Sequence, residues 1–216
     1  MALGIVGQTD GTTTNTTNHE DCQVAKVLIL PDIHENTPQL RKVIPIIDDC
    51  LNNGHRVIFL GDWFDTFGQH NPLLMVETIQ NYIDNPLVTM ILGNHDCHYA
   101  FRHDGFKCSG WYGPTQLMIN ERVGPDVWRK FKVFTRVGPY LVSHAGFTEG
   151  TLAYADDLVC ESAIEDALRG GCDPIFGVGK TRGGWLPVGG PTWLDWNSEF
   201  VDVPGTPQIV GHTQGH

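Results

Sequence analysis

Basic residues are scarce in this sequence: 14 Lys and Arg stand against 25 Asp and Glu, for a formal charge of −11 and a pI near 5.2. Such a chain has no general electrostatic hold on polyanions, which removes duplex nucleic acid and the membrane surface from the expected partners. Long apolar runs are missing too, and the stretch ending at Leu60 falls far short of the ~20 residues that span a bilayer. The N-terminus, MALGIVGQ, has no basic segment and too short an apolar stretch for a secretory signal. Six cysteines (Cys22, Cys50, Cys97, Cys108, Cys160, Cys172) lack zinc-ribbon spacing, so reduced thiols in a cytoplasmic protein are the expectation. A nucleotide-type phosphate loop is also absent. Gly179-Lys180-Thr181 has Pro174 where that motif needs glycine, and no strand precedes it.

What is present suits one folded domain: 216 residues, 41% hydrophobic and 10% aromatic, with no repeat or dividing linker. Residues 1–22 read as a disordered tail, Thr/Asn-rich over 9–21, with a sequon at Asn15 that a cytoplasmic chain leaves unused. Residues 23–216 form the domain. AKVLILPD, HRVIFLGD and LVTMILGN read as buried strands. Between them the spacing predicts one helix capped by Thr37, with Leu40, Val43, Ile44, Ile47 and Leu51 on its apolar face and a bend at Pro45. A second opens at Asn71-Pro72 and presents Leu73, Val76, Ile79 and Ile83. Residues 97–113 read as loop and 115–131 as two short helices. KVFTRVGPYLVSH reads as two strands about a Gly138-Pro139 turn, 151–169 as a helix, 170–207 as irregular, and PQIVGH as a last strand. Strands alternating with helices imply an α/β layered fold.

Five polar clusters each end an apolar strand: Asp32-Ile33-His34, Gly61-Asp62 with Asp65, Gly93-Asn94-His95-Asp96, Ser143-His144 and Gly211-His212. Asp32 and His34 are two apart, so an extended segment turns both to one side. In open α/β sheets ligands bind beyond the carboxyl ends of the strands, where all five clusters can converge. Imidazoles, carboxylates and one amide oxygen suit Mn, Fe or Zn better than calcium or a structural zinc. Six such donors exceed one tetrahedral ion and match two that share a carboxylate. Any one cluster alone is more often a capped turn. Asp96 reads as support for the Asn94–His95 turn.

The whole series resembles the calcineurin-like metallophosphoesterases, in their small phage and bacterial form, from about residue 25 to the end. The resemblance implies a ββ sandwich flanked by helices and two divalent or trivalent transition ions, Mn, Fe or Zn, with Mn the usual one in vitro. Asp32 and His34 would hold one ion, Asp62 would bridge, and Asn94, His144 and His212 would hold the other. His95 would be the general acid and Asp65 the carboxylate that fixes its tautomer. Thr66 stands where the protein-phosphatase branch has a phosphate-clamping Arg. The ending Gly211-His212-Thr213-Gln214-Gly215-His216 places His216 two positions too late for a ligand, and the family's strands after this motif are missing. Trp193, within Thr192–Trp196, resembles a substrate loop; Arg182 is a candidate replacement clamp, with Arg102 and Lys107 behind it. Cys97, His98, His103 and Cys108 match no zinc knuckle, which favours loop packing.

The implied activity is hydrolysis of a phosphomonoester, on a small molecule or a phosphoprotein. The alternatives are a phosphodiesterase or dinucleoside-polyphosphate pyrophosphatase, and a binding module on the same fold without catalysis.

Overall fold

The computed structural model describes residues 4–7, 26–66, 68–101 and 103–213. The expectations for residues 9–21, Asn15, Arg102 and His216 lie outside them. Strands β1 (Gly4–Gly7), β2 (Lys26–Leu30), β3 (Arg56–Phe59) and β4 (Val88–Met90) form one sheet in that order. β1 runs antiparallel to β2, while β2, β3 and β4 are parallel. β1 falls inside the stretch expected to be a tail, so residues 4–7 correct that boundary. β5 (Phe134–Val137), β6 (Tyr140–Ser143) and β7 (Gln208–Ile209) form the second sheet, with β6 parallel to β7. The β5–β6 hairpin turns at Gly138, where φ is 56°.

Period-two alternation sorts each strand between two cores. Leu28, Leu30, Val57 and Phe59 face the helix side and join the larger core. Val27, Ile29, Ile58 and Leu60 face the other way, against Val137 and Val142 of the second sheet. This is why the buried strands read as continuous apolar runs: both faces are covered. The mixed α/β sandwich agrees with the expected fold class.

The helices connect the parallel strands. α1 (Thr37–Asn52) is capped by Asn36, one residue before the expected Thr37, because the Asn36 side chain accepts from the Gln39 amide. α2 (Pro72–Tyr82) is capped by Asn71 and buries Val76, Ile79, Met75 and Tyr82. Leu73 is exposed instead of facing the core. α3 (Asn94–Ala100) replaces part of the expected loop. Gly93 starts it, and the buried Asp96 carboxylate accepts the Gly93 amide at 2.9 Å, a backbone-side-chain link that periodicity does not reveal. α4 (Gly113–Arg122) and α5 (Pro125–Trp128) are the two short helices, and α6 (Asp157–Leu168) follows a short 3₁₀ turn at Leu152–Tyr154. No helix among the described residues is long and apolar enough to cross a membrane.

Candidate metal centre

The loops after β2, β3, β4, β6 and β7 carry the polar clusters to one end of the sandwich. Their backbones touch. Ile33 and His34 both donate their amides to the Asp62 carbonyl, at 3.0 and 2.7 Å, and Gly211 donates to the His144 carbonyl at 2.7 Å. Among the described residues, the non-glycine residues with positive φ are His34, Glu35, Asp62, Asp65 and His212, every one in these loops. Such conformations cost of order 1–3 kcal/mol each and persist only where the surroundings enforce them. Asp96 supplies much of that enforcement. Its two oxygens accept from the amides of Asp62, Trp63 and Gly93, each at 2.9 Å. The glycines preceding the chemistry have a steric reason. A Cβ on Gly93 would lie 2.1 Å from Asp62 Oδ1, and one on Gly211 would lie 2.5 Å from Asp32 Oδ1.

Around His144 the geometry is that of a cation site. Its Nδ1 lies 2.7 Å from the Leu60 carbonyl, which assigns the proton to Nδ1 and leaves a lone pair on Nε2. That Nε2 faces Asn94 Oδ1 at 3.1 Å, His212 Nδ1 at 3.1 Å and Asp62 Oδ2 at 3.4 Å. Lone pairs of His144 Nε2, Asn94 Oδ1 and Asp62 Oδ2 thus converge, and a proton or a metal ion among them would satisfy all three. His34 repeats the arrangement. Its Nδ1 sits 3.0 Å from the Asp65 carbonyl, and its Nε2 sits 3.5 Å from the same Asp62 Oδ2. Asp62 is therefore the carboxylate between two imidazole sets: His34 with His95 on one side, His144 with His212 on the other. Asp32 stands at the edge, its two oxygens accepting the His212 amide at 3.2 and 3.1 Å and Oδ1 lying 3.9 Å from His144 Nδ1. The donor set fits first-row transition ions, and all six expected ligands are brought together.

Charge follows from this crowding. Burial works against ionised Asp62, but His144 overrides it, aided by His95 and His34, and holds the carboxyl far below the usual range. Burial likewise opposes a charged His144, and Asp62, with Asp32 adding, pushes it up to about 9. His212 goes the other way, down to about 3, from burial and the neighbouring His144 charge. In the metal-free protein a proton on His144 takes the place of an ion.

Beside this cluster, His95 Nδ1 lies 2.8 Å from Asp65 Oδ2, and its backbone amide donates to Asp62 Oδ1 at 2.9 Å. Burial opposes the imidazolium, but Asp65 and then Cys108 raise His95 to about 11. Several participants were not singled out for this site in the sequence. Tyr99 donates to Asp65 Oδ1 at 2.6 Å, and His98 Nε2 lies 2.6 Å from Asp65 Oδ2. Glu35, buried, accepts the Asp65 amide at 2.9 Å and the Asn71 amide at 2.5 Å, anchoring the loop. The helical spacing of His95, His98 and Tyr99 was the available signal for the first two; nothing local marks Glu35.

A cleft of about 700 Å³ opens over Asp62, Asn94, His95 and His212, lined also by Lys107, Arg182, Trp185 and Trp193. Arg182 is tethered, its guanidinium 2.8 Å from Asp195 and 3.2 Å from Thr213 Oγ1. Trp193 is largely buried, with its ring edge-on to His212 at 6.0 Å. Lys107 pairs with Asp104 at 2.7 Å and covers the Trp111 ring at 4.2 Å.

Imidazoles, carboxylates and an amide converging at the strand ends of an α/β sandwich define a metallohydrolase-type site. Residues 25–213 match the family described as calcineurin-like phosphoesterase, and the chain belongs to that family, whose members hydrolyse phosphoric ester bonds. Among solved structures, it is similar to a cold-active protein-tyrosine phosphatase of the psychrophile Shewanella sp. The TM-score is 0.46 at 16% identity, covering 78% of this chain and 56% of that one. A single-site mutant of a cold-active protein-tyrosine phosphatase gives 0.46 and 17%, covering 77% and 56%. The chain thus spans about half the length of these structures. No curated protein matches it.

Proposed function

We propose that this protein is a metal-dependent phosphomonoesterase with a binuclear centre. The observation that carries the reading is the convergence of Asn94 Oδ1, His212 Nδ1 and Asp62 Oδ2 on His144 Nε2, at 3.1, 3.1 and 3.4 Å, beside the Asp65–His95 pair. Asp32, His34 and Asp62 would hold one ion, and Asp62, Asn94, His144 and His212 the other. Two bound ions of the Mn, Fe or Zn type would supply positive charge to the phosphoryl oxygens and acidify water at neutral pH.

The chain's own residues do the rest. His95, held protonated by Asp65, has Nε2 uncommitted to that carboxylate and lines the cleft, so it can donate a proton to the departing ester oxygen. Asp65 fixes the ring and its tautomer through Nδ1. Lys107 and Arg182 also line the cleft, each already paired with a carboxylate, Asp104 and Asp195, which it would have to exchange to meet a phosphate. Trp193 would bound the leaving group. Free thiols at Cys50, Cys97, Cys108, Cys160 and Cys172 fit a reducing compartment such as the cytoplasm. The acidic body disfavours duplex DNA as a partner.

Manganese-loaded protein tested on nitrophenyl phosphate, bis-nitrophenyl phosphate and a dinucleoside tetraphosphate checks the reading. Faster turnover of the monoester is the expected result. Preference for either other substrate moves the assignment to the diester or pyrophosphate class. No hydrolysis by fully loaded protein leaves a binding module.

A further inference from the structure

Next to the candidate centre lies a second donor cluster that the proposed reaction does not use as a metal site. His95, His98 and Cys108 each offer a ligand atom, all within 4.8 Å of one another. Cys108 Sγ lies 3.1 Å from His98 Nδ1 and 3.9 Å from His95 Nδ1. Asp65 Oδ2 stands behind the two imidazoles, 2.8 Å from His95 Nδ1 and 2.6 Å from His98 Nε2. The His98 side chain is fully buried, with Nε2 set 2.6 Å from Asp65, so Nδ1 is the nitrogen that faces Cys108 Sγ.

We propose that His95, His98 and Cys108 form a separate three-ligand site for one thiophilic divalent ion of the zinc class, reached from the cleft. A tetrahedral ion with nitrogen, oxygen and sulfur ligands sets neighbouring donors about 3.3–3.6 Å apart. Cys108 Sγ stands 3.1 Å from His98 Nδ1 and 3.9 Å from His95 Nδ1, either side of that range, so side-chain shifts below 1 Å would suffice. Access exists, since His95 and Cys108 both line the cleft. Outer support exists as well: Asp65 holds His98 Nε2 at 2.6 Å, and Tyr99 holds the other Asp65 oxygen at 2.6 Å. The sulfur makes the site selective. A thiolate with two imidazoles favours Zn, Cd or Co over Mn or Mg, whereas the proposed binuclear set has no sulfur. Filling the site releases the Cys108 thiol proton and separates His95 Nδ1 from Asp65. On the reading of His95 as general acid, occupancy inhibits the enzyme.

The test titrates full-length, manganese-loaded protein with Co²⁺ and follows the thiolate-to-cobalt charge-transfer absorption, a readout independent of activity. One equivalent per chain is expected to develop the band. Cys108→Ser should abolish it, and His98→Gln should weaken Co²⁺ binding by about tenfold or more. Cys172→Ser, whose thiol also lines the cleft, should keep it. Zn²⁺ inhibition of nitrophenyl phosphate hydrolysis, normalised to each variant's own rate, should shift to higher Zn²⁺ by the same order in Cys108→Ser. A band that persists in Cys108→Ser, or no band in the unaltered protein, overturns the site. A band in a protein that hydrolyses no ester leaves the site standing and removes the proposed function.

Discussion

His95→Asn separates proton donation from metal holding. Asparagine keeps the backbone amide that donates to Asp62 Oδ1 at 2.9 Å, so the Asp62 position should survive. Asp65 also keeps its place, because Tyr99 at 2.6 Å and the Glu35-bound amide at 2.9 Å hold it from other directions. What goes is an imidazolium held charged at neutral pH by Asp65. A positioned acid is worth roughly 10²–10⁴ in rate, or about 3–5 kcal/mol of barrier. Steady-state kinetics on two esters reads this out. For an alkyl phosphate, whose alkoxide leaves poorly without a proton, kcat should fall by that whole range. For nitrophenyl phosphate, whose phenolate leaves unaided, it should fall by about tenfold or less. Metal content by elemental analysis should stay unchanged. His95 also lies close enough to His34 and Asp62 to share an ion with them. Loss of a metal ion from the variant, or equal slowing of both esters, would therefore refute the acid role and move His95 among the ligands.

Asp62→Asn removes the charge shared by both imidazole sets, so metal content should drop from up to two ions per chain to about none, with activity at background; elemental analysis decides, and full occupancy would contradict the bridging role. Metal uptake should release protons. His144, pushed up to about 9 in the metal-free protein, is charged at pH 7 and must become neutral to ligate, whereas His212, at about 3, is neutral already. Affinity should therefore rise by about tenfold per pH unit from pH 7 and level off near 9, with about one proton released at pH 7 in calorimetry across buffers; a flat profile would count against His144 as a ligand. Gly93→Ala brings a methyl 2.1 Å from Asp62 Oδ1, so circular dichroism should show a retained fold while metal affinity falls at least tenfold; unchanged affinity would mean that this approach does not govern Asp62.

The strands and their polar ends were legible in the chain because a sheet covered on both faces needs unbroken apolar runs, and the residue after such a run is where polar chemistry begins. Ligand type was legible for the same reason, since Asp, His and Asn at those ends have few other uses in such number. Tertiary structure alone decided the rest. Leu73 carries the right period for the core, yet α2 turns it to water, because the register of a helix on its sheet is set by packing. Helix α3 forms where the sequence looked like loop, because Asp96 ties its first turn to the amides of two other residues far away along the chain. Asp62 became the central carboxylate, and Asp32 an edge, through distances between loops 30 to 180 positions apart. Cys108 and His98, which spacing assigned to packing, meet His95 and Asp65 only because the loop after α3 folds back over its own helix. Local pattern determines which groups reach a strand end. Which of them share an ion or a proton is fixed by long-range contacts that no periodicity records.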